Sequence, residues 1–175
     1  MYNITKKIAS IDLNRIYNSE TKTFSNNIST AGHNYLKHYF HSYWNSNYNG
    51  NPTAKNAWLD DKIMNEVILY RIGCNNSGEV FDFSLHQIVR GLSARRITVS
   101  FFKPMLAAAI YKHHLGNVES PVVLDPCAGF GGRLVGFQSI YPNGTYIGVE
   151  PNTETFKELS DIVKRENWNN VMLIN

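Results

Sequence analysis

The C-terminal third of the chain alternates between two hydrophobic periods. VVLD, from Val122, is a short β-branched run, and the turn PCAGFGG follows it. RLVGFQSI then places apolar residues three and four apart, and TYIGV is a second apolar run closed by Glu150. Short apolar runs bounded by turn residues predict buried strands, and the longer spacing predicts a helix. Strand, glycine turn, helix and strand make a βαβ unit, and VMLIN predicts a third strand. Upstream, Lys103-Pro104 opens MLAAAIYKHHL, a short amphipathic helix whose His113 and His114 suit a helix C-terminus. WLDDKIMNEVILYRI, from Trp58 to Ile72, predicts a helix with Ile63, Val67, Ile68 and Tyr70 toward a core. Leu36, Tyr39, Phe40 and Tyr43 recur at helical spacing. NGNP, from Asn49 to Pro52, predicts a turn, CNNSGE a loop, and ARRITVSFF an extended segment. FDFSLHQIVRGL reads as a short strand or a helix start, with Ser84 as a possible N-cap.

The predicted fold class is therefore α/β, with a partial Rossmann-like sheet of strands ordered 3-2-1. A mostly helical N-terminal region precedes it, and the division falls between residues 92 and 93. The first strand is apolar at every position, as expected of a strand covered on both faces and both sides. With no strand beyond it, its free edge is expected to be covered by the N-terminal region, a second copy or a separate chain.

Composition narrows the classes. At 175 residues, with 43% hydrophobic and 18% charged residues, the chain can bury a sizeable core. No run approaches the ~20 apolar residues of a membrane span, and MYNITKKIASIDLNRI lacks the apolar core of a signal peptide. Cys74 and Cys127 show no metal or disulfide-framework spacing, so reduced thiols in a cytosol are the expectation. A net charge of +3 permits nucleic-acid binding without arguing for it strongly.

The chemistry concentrates at the βαβ unit. Asp125 ends the first strand, at the sheet edge where open α/β folds bind ligands. Gly129 and Gly131 can take positive φ and let a ligand approach the backbone. The following helix turns its N-terminal N–H groups toward the same place, which favours a ligand carboxylate. Glu150 lies 19 residues beyond Gly131, matching the acid ~20 residues on that accepts ribose hydroxyls. Pro151 could offer an apolar face to an adenine. A dinucleotide is the competing ligand, but Leu134 stands where its third glycine would fall, and an acid and a proline open the turn.

LDPCAGFGGRLVG resembles motif I of the class I S-adenosylmethionine-dependent methyltransferases. It is most similar to the D-P-x-x-G-x-G spelling of the DNA amino-methyltransferases, which make N6-methyladenine or N4-methylcytosine, and to DPCAGWGGR-type turns of phage-encoded DNA methylases. The resemblance runs from about Arg95 to Glu150. It implies S-adenosylmethionine as cofactor, held by Asp125, Pro126, Gly129, Phe130, Gly131, Gly132, Glu150 and Pro151. SFFKPMLAAAIYKHH occupies the place of the family's motif X, which assigns Phe102 and Pro104 to the cofactor pocket. It also implies DNA as partner and a bacterial or phage-infected host cytoplasm as location.

The chain departs from that family in one respect. The motif [D/N/S]-P-P-[Y/F/W], which grips the flipped base, does not occur, because the sequence has no Pro-Pro pair. Asn51-Pro52-Thr53-Ala54 is its faintest echo and reads as a turn. The resemblance therefore implies a methyl-donor half without catalytic residues: a fragment, or a split subunit completed by a second polypeptide or by a missing C-terminal segment. A homo-oligomer, a degenerate binding relative, and a structural or anti-defence phage protein are the alternatives.

Two other clusters have bland and functional readings. The aromatic-rich stretch HNYLKHYFHSYWNSNYNGN is a helix face in a core, or a surface that stacks on bases while Lys37 and the histidines meet phosphates. His33, His38 and His41 do not share one helix face well enough for a metal site. Arg90, Arg95 and Arg96 form a solvated loop or a contact to DNA phosphates.

Overall fold

The computed structural model describes residues 4–10, 17–18, 23–24, 30–74 and 84–175. Its elements, in order, are α1 (Ile4–Ala9), β1 (Tyr17–Asn18), β2 (Thr23–Phe24), α2 (His33–Tyr39), α3 (Ser42–Asn45), α4 (Ala54–Trp58) and α5 (Asp61–Gly73). There follow α6 (Leu85–Ala94), α7 (Pro104–Leu115), β3 (Val122–Asp125), α8 (Gly132–Ile140), β4 (Thr145–Val149), α9 (Thr153–Arg165) and β5 (Val171–Ile174). The CNNSGE loop beyond Cys74 and the FDF segment before Ser84 lie outside the described residues.

The chain divides into two compact units. One holds Met1–Phe40 and Phe101–Asn175, the other His41–Ser100. A single boundary at residue 92 was expected. The actual partition differs because α1 packs on α8 and α7, so the first forty residues belong with the C-terminal sheet. Ile4 and Ile8, one helical turn apart, are buried to 2% and 0% exposure and supply that contact.

In this first unit β3, β4 and β5 form a parallel sheet in the order β3-β4-β5, the predicted 3-2-1 arrangement. Register pairs Leu124 with Ile147 and Ile147 with Met172. Side chains alternate between faces along each strand. Val123, Asp125, Tyr146, Gly148, Val171 and Leu173 share one face, and Tyr146 is fully buried there. The opposite face carries Val122, Leu124, Met172 and Ile174, with exposures of 68%, 64%, 56% and 47%. Among the described residues the sheet is thus covered on one face only. Among the same residues no strand pairs with the free edge of β3.

The helices α7 and α8 approach each other closely through small residues. A Cβ on Gly136 would sit 2.6 Å from both Ala107 Cβ and the Pro104 carbonyl oxygen, and one on Gly132 would sit 2.0 Å from the Phe102 carbonyl oxygen. Only glycine lets the start of α8 lie against the backbone that leads into α7. Helix α9 is capped by Asn152, whose Oδ1 accepts from the Thr155 N–H at 2.9 Å.

The second unit is helical. Ala57, Val67, Leu92 and Ile97 form its core, with Ile63, Met64 and Ile88 packed against it. The helix expected from Trp58 begins later, because Asp60 caps α5 by accepting from the Lys62 and Ile63 N–H groups. Tyr70 was expected in the core but is 40% exposed, since the buried stripe of α5 runs through Ile63 and Val67. Ser84 occupies the N-cap position of α6 without a side-chain capping bond. ARRITVSFF was expected to be extended, but α6 runs to Ala94, Arg95 and Arg96 form a turn with Arg96 at φ 56°, and no strand is assigned to residues 97–103. The NGNP turn is present, with Asn49 and Gly50 at positive φ and the Asn51 N–H donating to the Tyr48 carbonyl. No helix among the described residues is long and apolar enough to cross a membrane.

Candidate functional site

The C-terminal ends of β3 and β4 carry the acids that the sequence singles out. Asp125 is 5% exposed and Glu150 8% exposed. Between them runs the loop from Pro126 to Gly131, with Gly129 at φ 54° and Gly131 at φ 71°, the left-handed region that disfavours a side chain. Two backbone bonds brace this end of the sheet, and the first of them holds the loop. The Ala128 N–H donates to the Val149 carbonyl at 2.8 Å, and the Glu150 N–H donates to the Ile174 carbonyl at 2.9 Å.

Glu150 ties this loop to the next helix. Its Oε2 accepts from the Gly129 N–H at 2.8 Å and its Oε1 from the Asn152 N–H at 2.9 Å. A carboxylate offers about four acceptor positions, so each oxygen retains one for a further donor. Among the described residues a Cβ on Gly129 would meet only the Cys127 carbonyl oxygen, at 3.8 Å, so the space above that glycine is open with respect to them. Pro126 and Pro151 are exposed on either side.

Asp125 is engaged differently. Oδ2 accepts from Arg133 Nε at 2.8 Å and from the Tyr146 hydroxyl; Oδ1 accepts from Arg133 Nη2 and from the Cys127 N–H, at 3.1 and 3.2 Å. All four of its acceptor positions are therefore taken. Burial alone would raise the Asp125 pKa, but the Arg133 pair, the Tyr146 hydroxyl and the Cys127 N–H together hold it below the usual carboxylate range. Burial, then the hydrogen bond to Asp125, pushes the Tyr146 phenol well above its ordinary value. Tyr111, buried and near the Asp125 charge, is pushed up to about 12. Arg133 also donates through Nη2 to the Cys127 carbonyl, and its guanidinium lies 5.1 Å from the centre of the Phe102 ring.

The remaining residues assigned to the pocket divide. Phe102 and Gly132 meet at the start of α8. Pro104 is buried at the first turn of α7, where its ring faces Gly32. Phe130 turns into an aromatic cluster, with ring centres 4.8 Å from Phe101 and 5.5 Å from Phe40. Gly131 was expected to keep a Cβ out of ligand space, but a Cβ there would meet Leu159 Cδ1 at 2.8 Å. Its second constraint comes from the hydrophobic core.

Arg133 was absent from the sequence reading, although it directly follows the glycine pair. Its partner lies eight residues back on a strand, a pairing that no helical or strand period reveals. Tyr146 was missed for the same reason.

The aromatic stretch supplies core: Leu36 and Phe40 are fully buried and Tyr43 is 4% exposed. A break at Phe40 separates α2 from α3, where one helix was expected. His33 Nε2 lies 3.3 Å from the Phe101 carbonyl, and burial lowers its pKa, with Lys37 and Lys103 acting in the same direction. Among the described residues no group of three His, Cys, Asp or Glu side chains could hold a metal ion. Arg90 is exposed on α6. Arg95 is paired with Glu66 at 2.6 Å, and Arg96 sits at φ 56° with its carbonyl accepting from Asn51 Nδ2. All three belong to the second unit.

No protein-family model matches the chain, and no curated protein sequence matches it significantly.

Proposed function

We propose that this chain is the S-adenosylmethionine-binding portion of a DNA amino-methyltransferase, of the adenine-N6 or cytosine-N4 type. The reading rests most on one observation: a left-handed glycine loop between two buried acids at the C-terminal edge of a parallel βαβ unit. The residues fit such a ligand. Glu150 retains acceptor capacity for two ribose hydroxyls, the space over Gly129 is open, and the exposed Pro151 can flank an adenine. The sulfonium supplies an electrophilic methyl group when bound. The protein's part is to fix its position relative to an exocyclic amine of a base taken out of the helical stack.

No base-gripping Pro-Pro motif is present, so the transfer step falls to a completing polypeptide or chain segment. The bare apolar face of Val122, Leu124, Met172 and Ile174 supports that division, because parallel sheets in α/β proteins are covered on both faces. The proposed place of action is a bacterial or phage-infected host cytoplasm, with DNA bound in part through Arg90 and Arg96. Arg95 is already paired with Glu66.

Calorimetry with S-adenosylmethionine and S-adenosylhomocysteine tests the cofactor. Saturable binding that Glu150→Ala weakens by about tenfold is expected, from the loss of hydrogen bonds to a charged acceptor. Binding that survives Glu150→Ala unchanged refutes the site. Labelled-methyl transfer to DNA by the isolated chain, well above background, refutes the division of labour.

A further inference from the structure

The acid that ends β3 has no free acceptor position, and the group beside it that retains donors is a cation. Arg133 uses Nε and Nη2 on Asp125 and the Cys127 carbonyl. Nη1, with two N–H groups, makes no hydrogen bond to the protein among the described residues. The side chain as a whole is 29% exposed. It stands at the first turn of α8, the positive end of a nine-residue helix. The fork cannot swing freely, because Asp125 grips it on one side and the Phe102 ring faces its plane.

We infer that Arg133 is the specificity-determining residue of the proposed cofactor site, and that it reads the carboxylate of the ligand's amino-acid end. Asp125 is then a positioning residue that acts through Arg133 and does not touch the ligand's ammonium group. Tyr146, which donates to Asp125 from β4, holds that acid in turn. A planar guanidinium with donors on one edge suits a carboxylate, and a charged hydrogen-bonded pair of this kind gives discrimination that the α8 amides alone do not. The inference rests on the cofactor reading above and goes further, by stating which end of the ligand is selected and by what.

The experiment compares S-adenosylmethionine with its decarboxylated form, which keeps the adenosine, the sulfonium and the amine and lacks only the carboxylate. The wild-type chain is expected to bind the intact cofactor about tenfold or more tightly than the decarboxylated one. In Arg133→Gln that preference disappears, because only the intact cofactor loses affinity. Asp125→Asn shows the same selective loss. If Asp125 met the ammonium directly, Asp125→Asn would weaken both ligands alike, and that outcome overturns the inference. So does a wild-type chain that binds both forms equally, while leaving the cofactor reading intact. A wild-type chain that binds neither removes the cofactor reading itself. Arg133→Gln leaves a buried carboxylate unpaired, so folding is checked by circular dichroism. The double variant Asp125→Asn/Arg133→Gln, with neutral amides at both positions, gives the same comparison if the single variant unfolds.

Discussion

Replacing Gly136 by alanine sets two local effects against each other. Gly136 lies within α8, where alanine is intrinsically better than glycine by about 1 kcal/mol. On propensity alone the variant is more stable. The packing opposes this. The added methyl would lie 2.6 Å from Ala107 Cβ, 2.6 Å from the Pro104 oxygen and 2.9 Å from the Ala108 nitrogen. None of these atoms can rotate away, so α7 must move as a body. Inserting a methyl group into a packed interior costs about 1–3 kcal/mol, and a rigid backbone neighbour places this case at the upper end. The net expectation is a loss of about 2 kcal/mol, or about 4–8 °C in Tm for a chain of this size. Urea unfolding followed by circular dichroism measures it, with the m-value expected to stay constant. Ala107→Gly in the same background removes one of the three close contacts and should restore part of the loss. A second readout follows, because α7 begins just after Phe102, whose ring faces Arg133. On the proposed cofactor reading, displacing α7 should also weaken binding of S-adenosylmethionine. A Gly136→Ala chain as stable as wild type, or more so, refutes the packing account.

Asn152→Ala removes the N-cap of α9 and is expected to cost about 1 kcal/mol, read as a lower urea midpoint. His33 has a folded pKa below its ordinary 6.5, so its contribution to stability is complete above 6.5 and is lost as pH falls through the folded value. The wild-type unfolding free energy should therefore decline over that range, with a smaller slope in His33→Gln; identical slopes refute the assignment. Leu124→Lys with Met172→Lys charges two exposed positions and should leave the fold intact while suppressing any concentration-dependent association of the wild type. Sedimentation velocity distinguishes the two chains, and a wild type that stays monomeric at all accessible concentrations removes the association hazard.

What the sequence made legible was local. The apolar runs at Val122, Thr145 and Val171, the glycine turn and Pro104 all mark elements whose character is set by neighbours in the chain. What it hid depends on contacts between distant segments. The pairing of Ile4 and Ile8 with α8 moved forty residues into the C-terminal unit, and no composition shift announces such a contact. Periodicity placed Tyr70 in the core, because a helix of mixed apolar residues does not declare which stripe will be buried. At the site, the glycine and acid spacing located the residues, while their roles depended on the partners. Asp125 became a holder only once Arg133 and Tyr146 were seen around it. Gly131 acquired a second constraint from Leu159, 28 residues away in sequence.

The one-sided sheet bears on how much of this protein a cell can keep. A chain that shows Leu124 and Met172 to water carries, while it stands alone, the kind of surface that chaperones hold and proteases clear. A partner that covered that face would shield it and add stability by mass action. The steady amount of this chain should then follow the supply of its cover, so that an excess made without it is short-lived. Gene dosage and turnover, measured with and without a candidate partner, become a way to recognise that partner in living cells.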